Sequence, residues 1–141
     1  MTINETQDQI IEEFSIFSDW MDRYQQLIDL GNELSPIDEK KRTDQHLIKG
    51  CQSKVWVDAN LIDGKLLFEA DSDAIITKGI VALLIRVLNN KSPQDILDAD
   101  LYFIDKIGLK ENLSPTRSNG LLAMIKQMKL YALAYKTKMN G

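Results

Sequence analysis

The chain has 141 residues, of which 44% are hydrophobic and 27% are charged, so it has enough apolar material to fold as one domain over residues 1–141. Its net charge of −4 argues against binding to a nucleic-acid backbone, which needs clustered lysine and arginine. The longest apolar run, residues 80–85, is far shorter than the ~20 residues of a membrane span. These values predict a globular protein with no nucleic-acid or membrane partner.

Cys51 and His46 are the only cysteine and the only histidine of the chain. One cysteine excludes an internal disulfide, and one cysteine with one histidine makes a poor zinc site, so we expect no bound metal. Residues 1–13 are polar and acidic and lack the features of a signal peptide. We therefore expect a cytoplasmic protein, in which a free thiol stays reduced.

The N-terminal third predicts two helices. Thr2 and Glu5 have the spacing of a capping box, in which each side chain bonds an otherwise unpaired backbone amide. Apolar residues with helical spacing follow at Ile10, Phe14, Phe17, Met21, Tyr24 and Ile28. Asp19 offers a second N-cap, which predicts a break, and we expect the second helix to end near Gly31, before Pro36.

The middle of the chain predicts a β-hairpin. Two apolar segments, residues 55–57 and 66–68, flank Asp63-Gly64, which is a strong turn signal. Residues 47–48 are expected to add a short third strand. The sequence thus predicts a small antiparallel β-sheet of about three strands.

Helices dominate the remainder. Residues 71–73 are expected to cap a helix over residues 75–88 that is apolar nearly all round, and Gly79 within it indicates close backbone packing. Pro93 opens a short helix, and residues 100–109 are predicted to form an apolar connector. Pro115 starts the last helix, whose core stripe is Leu121, Ile125, Met128, Ala132 and Tyr135. The predicted fold class is α+β, with the sheet packed against helices from both ends of the chain.

Cys51 lies on a Gly-Cys-Gln-Ser corner, outside any apolar periodic run. A structural cysteine usually lies inside such a run, because it packs like a small hydrophobic residue. Gly50 is able to adopt backbone angles that other residues avoid, and it leaves one side of the thiol uncrowded. The segment therefore favours a thiol presented on a loop tip, with a space-filling cysteine as the alternative.

Arg117 is predicted to lie in the first turn of the last helix, where a cation opposes the helix macrodipole by about 0.3–1 kcal/mol. Two interpretations stay open for this residue. The arginine is either screened by solvent, or it meets an anion, which is a carboxylate of this chain or a negative group on a partner.

Three segments together resemble the SufE family of sulfur-acceptor proteins. They are residues 50–56 (GCQSKVW), residues 71–74 with Lys78-Gly79, and residues 113–121 (LSPTRSNGL). The segments occur in order and the correspondence covers most of the chain, although residues 32–45 are less similar and GCQS alone is a weak signal. The resemblance implies a small antiparallel sheet flanked by helices, akin to iron–sulfur scaffold proteins of the IscU type, which agrees with the α+β prediction.

The resemblance also implies a function. SufE-like proteins accept sulfane sulfur from a PLP-dependent cysteine desulfurase of the SufS type and stimulate that enzyme. The acceptor cysteine of the family motif falls on Cys51, which would carry the sulfur as a persulfide toward a SufB-type scaffold complex in iron–sulfur cluster assembly. The family implies an accessory protein rather than an independent enzyme, with no cofactor of its own, as a monomer or weak homodimer.

An acceptor loop over residues 46–53 is a further implication of the resemblance. In the family this loop is held inward and extends when the desulfurase docks, and Gly50 is the expected hinge. The loop and partner-binding residues would be His46, Gly50, Gln52, Ser53, Asp73 and Arg117. Ionisation of the Cys51 thiol is left open between help from His46, help from Arg117 and activation by the donor's own active site.

Two other classes of function remain alternatives. A thiol redox protein would use Cys51 against peroxide, but such proteins often have a resolving cysteine, which this chain lacks. An iron–sulfur scaffold would need several thiolate ligands in one chain. Both alternatives therefore rank below a sulfur carrier.

Overall fold

The computed structural model describes residues 1–51 and 53–140. Its helices are α1 (Ile3–Ser15), α2 (Trp20–Glu33), α3 (Ile75–Leu88), α4 (Pro93–Asp98), α5 (Phe103–Lys106), α6 (Leu109–Asn112) and α7 (Pro115–Asn140), with a 3₁₀ turn over Glu39–Lys41. Strands β1 (Val55–Ile62) and β2 (Lys65–Ser72) form an antiparallel hairpin. The predicted α+β class is confirmed. Among the helices of the described part, none is long and apolar enough to cross a membrane.

The N-terminal helices begin as predicted. Thr2 and Glu5 form both hydrogen bonds of the capping box, each 3.0 Å long. The Asp19 carboxylate caps α2 by accepting from the Met21 amide at 3.0 Å. Helix α2 ends at Glu33, just beyond the predicted end.

The hairpin turn is also confirmed. Asp63 and Gly64 have φ values of 53° and 78°, and they connect the paired residues Ile62 and Lys65. Positive φ at both central residues is the geometry of the two-residue turn that suits the twist of antiparallel strands. Gly at the second position adopts it without steric cost.

The third strand of the prediction is absent from the described residues. Leu47 pairs with Trp56 in a single isolated bridge, so the sheet has two strands rather than about three. The extended run is too short to form a strand because the backbone turns away at Gly50, which has a φ of 95°.

Residues 71–73 do not cap α3 as predicted. Pairing with β1 continues through Asp71 and Ser72, so both residues belong to β2. The N-cap of α3 is Ala74, which makes no side-chain capping bond. The predicted connector, residues 100–109, instead contains α5 and the start of α6, with Gly108 at φ 79° between them. At residues 71–72 it was pairing with β1, outside the local segment, that decided the conformation.

Helices α2 and α3 cross with their backbones in contact. A Cβ atom on Gly79 would lie 2.1 Å from the carbonyl oxygen of Leu27, and one on Gly31 would lie 2.9 Å from the Gly79 nitrogen. No side chain fits at either position, so the close packing predicted at Gly79 is confirmed. Apolar residues of α3 then fill the centre of the core, including Ile80, Leu83, Leu84 and Leu88.

Helix α7 packs along β1 and is tied to it by two tyrosines. Tyr131 donates to the carbonyl oxygen of Val57 at 3.0 Å, and Tyr135 donates to that of Ala59 at 2.8 Å. The helix buries Leu121, Met124, Met128 and Ala132. The predicted stripe is therefore right at three of these positions, whereas Ile125 is only half-buried and Met124 takes its place in the core.

Candidate functional site

The Cys51 side chain rests against the N-terminal part of α7. It is half-buried, and its thiol donates a hydrogen bond to the carbonyl oxygen of Gly120 at 3.5 Å. A Cβ atom on Gly120 would lie 3.4 Å from the Cys51 sulfur. The surface of the helix is therefore bare at the place where the sulfur lies.

The surroundings of the Cys51 sulfur favour the protonated thiol. Burial raises the pKa of Cys51 above its ordinary value, because removal from water disfavours the charged thiolate. The carbonyl oxygen of Gly120 acts in the same direction, since it accepts a hydrogen bond from the thiol and repels a thiolate. In this position Cys51 is a weak nucleophile near neutral pH.

A cavity of about 360 Å³ opens beside this thiol. Ile80 and Met124 supply apolar lining, and Arg117 supplies a positive charge. Cys51, Gly120 and four residues with hydroxyl groups complete the described lining, namely Ser53, Thr77, Ser114 and Thr116. The lining therefore combines apolar surface with hydrogen-bond donors, and it holds no carboxylate among the described residues.

A first hydrogen-bonded clamp fixes the chain before Cys51. The Ile48 amide donates to the Val55 carbonyl oxygen at 2.8 Å, and the Val57 amide donates to that of His46 at 3.0 Å. These bonds tie residues 46–48 to β1, together with the single bridge at Leu47. Motion of the chain therefore has to begin after Ile48.

A second clamp fixes the chain after Cys51, at Lys54. Its amide donates to the Asp73 carboxylate at 3.0 Å, and its carbonyl oxygen accepts from the Ser72 hydroxyl at 2.9 Å and from the Asp73 amide at 3.2 Å. Of the expected loop over residues 46–53, the first three residues are tied to β1, so only residues 49–53 lie between the two clamps. We call this shorter stretch the acceptor loop. Gly50 provides the loop with a positive φ that other residues avoid.

A buried carboxylate holds the segment that precedes the first clamp. Asp71 is 1% exposed, and it pairs with Arg42 and, at 3.4 Å, with Lys78. The guanidinium of Arg42 also lies over the Trp56 ring, 5.0 Å from its centroid. Neither Arg42 nor Asp71 was singled out in the sequence for this pairing, because their separation along the chain gives no periodic signal.

His46 lies on the sheet side of the first clamp. Its Nδ1 atom is 3.2 Å from the Thr43 hydroxyl, and its Nε2 atom is 3.5 Å from the Asp58 carboxylate. It is not among the described residues that line the Cys51 cavity. The structure therefore gives His46 an anchoring position rather than one beside the sulfur.

The other residues singled out in the sequence divide between the cavity and the clamps. Ser53 and Arg117 line the cavity with Cys51, and Asp73 forms the second clamp. The side chain of Arg117 is exposed and makes no ion pair with any described residue, while its amide bonds the Ser114 hydroxyl at 3.3 Å. Gln52 lies outside the described residues.

Two residues of the site were missed in the sequence. Gly120 lies inside a helix, where glycine costs about 1 kcal/mol relative to alanine, and the same argument that was applied to Gly79 predicts a close contact there. Thr77 is a polar residue on the buried side of helix α3, at the edge of the cavity. The sequence offers no comparable signal for Thr77, because its burial follows from the packing of α3.

Comparison with known proteins places this arrangement in a family. The SufE domain, described as Fe-S metabolism associated, matches residues 8–132. An uncharacterized SufE-like protein of Synechocystis is 39% identical over 127 residues, which cover 90% of this chain and 80% of that protein. An uncharacterized SufE-like protein of Rhizobium etli is 41% identical over 127 residues, which cover 86% of each chain. The solution structure of a hypothetical protein from Thermus thermophilus shares the fold, with a TM-score of 0.77, 23% identity and coverage of 94% of this chain and 96% of that chain.

Proposed function

The chain belongs to the SufE family of proteins associated with Fe–S metabolism, and from this premise we propose that it is a sulfur carrier in which Cys51 accepts sulfane sulfur as a persulfide. The donor is a PLP-dependent cysteine desulfurase of the SufS type, which the chain also stimulates. The recipient is a SufB-type scaffold complex. The chain acts in the cytoplasm as a single domain over residues 1–141, as a monomer or weak homodimer, and has no turnover of its own.

The observation that carries this proposal is the position of the only thiol. Cys51 is half-buried against α7, on the acceptor loop between the clamps at Ile48 and Lys54. Each clamp lies about three residues from Cys51, so the loop is able to carry the sulfur outward by up to about 10 Å. A thiol with this freedom suits transfer between proteins better than a fixed active site does.

The proposed transfer is a thiol exchange. The Cys51 thiolate attacks the outer sulfur of the donor's persulfide, a new S–S bond forms at Cys51, and the S–S bond of the donor breaks. The donor cysteine leaves as a thiolate and takes up the proton that Cys51 lost. The transferred atom enters and leaves at the same oxidation level, so the step needs neither an oxidant nor a reductant.

The raised pKa of Cys51 supports ionisation of its thiol only after the loop has extended. In the inward position, burial and the Gly120 carbonyl oxygen keep the thiol protonated. Extension removes both effects, and ionisation then takes place in the active site of the donor. Inward storage and outward reaction are thus separated, which protects the thiol between transfers.

The same pKa disfavours a peroxide sensor. Thiols that react rapidly with peroxide are exposed and have a lowered pKa, whereas the pKa of Cys51 is raised. The single cysteine also argues against an iron–sulfur scaffold, which needs several thiolate ligands.

Sulfur transfer is tested by incubating the protein with a SufS-type desulfurase, PLP and cysteine, followed by mass spectrometry of the intact protein and its peptides. We expect the mass of one added sulfur atom at position 51, and a desulfurase rate that rises with the amount of protein added. The variant Cys51→Ser is expected to fold normally, to gain no sulfur and to give no such stimulation.

Circular dichroism of Cys51→Ser provides the folding control. If this variant stimulated the desulfurase as fully as the wild type, the carrier function would be refuted. Rapid oxidation by peroxide without sulfur uptake would instead identify a redox protein.

A further inference from the structure

Helix α7 is basic in an otherwise acidic protein. The chain has 17 basic and 21 acidic residues, and α7 holds five of the basic residues and none of the acidic ones. The five are Arg117, Lys126, Lys129, Lys136 and Lys138. No ion pair joins any of them to a described residue. A surface of one sign attracts a partner of the opposite sign, so the free charge of α7 favours an acidic partner.

The same helix has a second apolar stripe, on the side that faces away from the core. Leu122, Leu130 and Leu133 are 51%, 46% and 49% exposed, and their spacing with Lys126 between them is that of one helical face. The face of a surface helix opposite the core is normally polar. From residue 122 to residue 133 the stripe is about 17 Å long, which matches about three turns of a partner helix.

A groove of about 540 Å³ lies beside this stripe, between α7 and residues 44–49. Leu47 and Ile48 supply apolar surface from the first clamp, and Ala123 and Leu130 supply it from α7. Leu130 belongs to both the groove and the stripe, so the two form one surface. We call this surface, residues 44–49 with the outer face of α7 from Leu122 to Leu133, the docking groove.

The charge of the docking groove is positive. Lys49 and Lys126 line it, against one carboxylate among the described lining residues, that of Asp44. Both lysines are exposed, and neither forms an ion pair with a described residue. An apolar floor with free cations beside it fits the apolar face of a helix whose flanks are acidic.

The docking groove adjoins the acceptor loop without reaching the sulfur. Lys49 is the first residue of the loop, and a Cβ atom on Gly50 would lie 3.4 Å from the Cβ atom of Ala123. Neither Cys51 nor Arg117 is among the described residues that line the groove. A protein seated there would therefore lie against the loop and leave the Cys51 sulfur uncovered.

We propose that the docking groove binds an acidic amphipathic helix of the protein that receives the sulfur. This inference rests on the carrier function proposed above. The donor has to cover the sulfur while it loads the carrier, whereas the docking groove stays accessible beside the loaded loop. Apolar side chains of the recipient helix fill the groove against Leu130, and its acidic side chains pair with Lys49 and Lys126. The loop then extends into a partner that is already bound.

The test measures binding of the unloaded protein to the purified SufB-type scaffold complex by isothermal titration calorimetry. We expect Lys126→Glu, which reverses a charge in the groove, and Leu130→Gln, which removes its apolar anchor, each to weaken binding about tenfold. Wild-type binding should also weaken with rising salt, because the lysines are exposed and their pairs are screened.

Two variants provide matched controls. Lys138→Glu makes the same change of charge on the same helix, at an exposed residue outside the groove lining. Ile16→Gln removes an exposed apolar side chain, 77% exposed, at the end of α1. Both controls should bind the scaffold complex like the wild type.

Several results would overturn the docking groove. They are no binding by the wild type, equal binding by Lys126→Glu and wild type, or an equal loss in Lys138→Glu. Two further results would assign the surface to another occupant and overturn the proposal as well. Equally weakened binding of the desulfurase by Lys126→Glu and Leu130→Gln would identify the donor, and self-association that Leu130→Gln abolishes in sedimentation would identify a second copy of this chain.

Failure of the carrier function itself has a different signature. In that case the wild type gains no sulfur from the desulfurase, although the unloaded protein still binds the scaffold complex and still depends on Lys126 and Leu130 for it.

Discussion

Two glycines inside helices, Gly79 and Gly120, have opposite surroundings. A Cβ atom on Gly79 would lie 2.1 Å from the carbonyl oxygen of Leu27, whereas one on Gly120 would meet the Cys51 sulfur at 3.4 Å, an ordinary contact. At Gly79 the backbones of α2 and α3 are in contact, and the two helices cannot separate without disrupting the core. At Gly120 a single side chain rests on a bare helix surface. The same residue type therefore marks a rigid framework in one region and a contact that opens in the other.

The sharpest way to test this contrast is one substitution made at both glycines. Gly79→Ala forces α2 and α3 apart, so we expect the free energy of unfolding to fall by about 3 kcal/mol. Gly120→Ala meets no backbone, and we expect it to be neutral or to raise stability by up to about 1 kcal/mol through helix propensity. Urea denaturation of both variants measures the difference, and equal losses would show that the two regions are alike.

Loss of an ion pair to the buried Asp71 carboxylate should lower the free energy of unfolding less than Gly79→Ala does. Arg42→Met leaves Asp71 with Lys78 as its remaining ion-pair partner, and we expect a loss of about 2 kcal/mol in the free energy of unfolding. The loss is smaller than for a fully enclosed pair because Arg42 is partly exposed to water.

Lys110→Met provides the comparison for an ion pair at the surface. Lys110 lies 3.7 Å from Asp105, and both side chains are largely exposed, so we expect a change below about 0.5 kcal/mol in urea denaturation. Similar losses for Arg42→Met and Lys110→Met would show that the Asp71 pair does not secure the framework.

The contact at Gly120 is tested by the reactivity of the thiol. Because burial raises the pKa of Cys51, the rate of alkylation by iodoacetamide should rise with a midpoint above the ~8.5 of a free cysteine. Gly120→Leu fills the place of the sulfur, and we expect it to bring the midpoint back toward that of a free cysteine. A wild-type midpoint at or below the free value would mean that the loop lies mostly outward.

Stability should follow the same titration. A folded-state pKa above the unfolded value means that the contribution of the thiol is fully present below about pH 8.5 and is lost as the pH rises through the folded-state value. The unfolding free energy of the wild type should therefore fall more steeply in this range than that of Cys51→Ser. Parallel curves for the two proteins would contradict the burial of the thiol.

Local signals predicted much of the framework. The capping box at Thr2, the N-cap at Asp19 and the turn at Asp63-Gly64 all depend on residues that are neighbours in sequence, and all were right. The third strand was wrong because the backbone turns away at Gly50 after a single bridge, and the cap of α3 was wrong because pairing with β1 carries β2 through Ser72. Propensity is a weak guide where a distant partner supplies the hydrogen bonds.

The candidate site divides in the same way. The sequence by itself determined that Cys51 is the only thiol, that it lies on a glycine-flanked corner, and that its motifs are those of the SufE family. Only the tertiary structure brought the sulfur to Gly120, 69 residues away in the chain, and placed Thr77 and Arg117 around one cavity. Periodicity reports which side chains share a face of one element, and it carries no information on which faces of different elements meet. The sequence therefore identified the reactive sulfur atom, whereas the packing of distant elements determined which groups surround it.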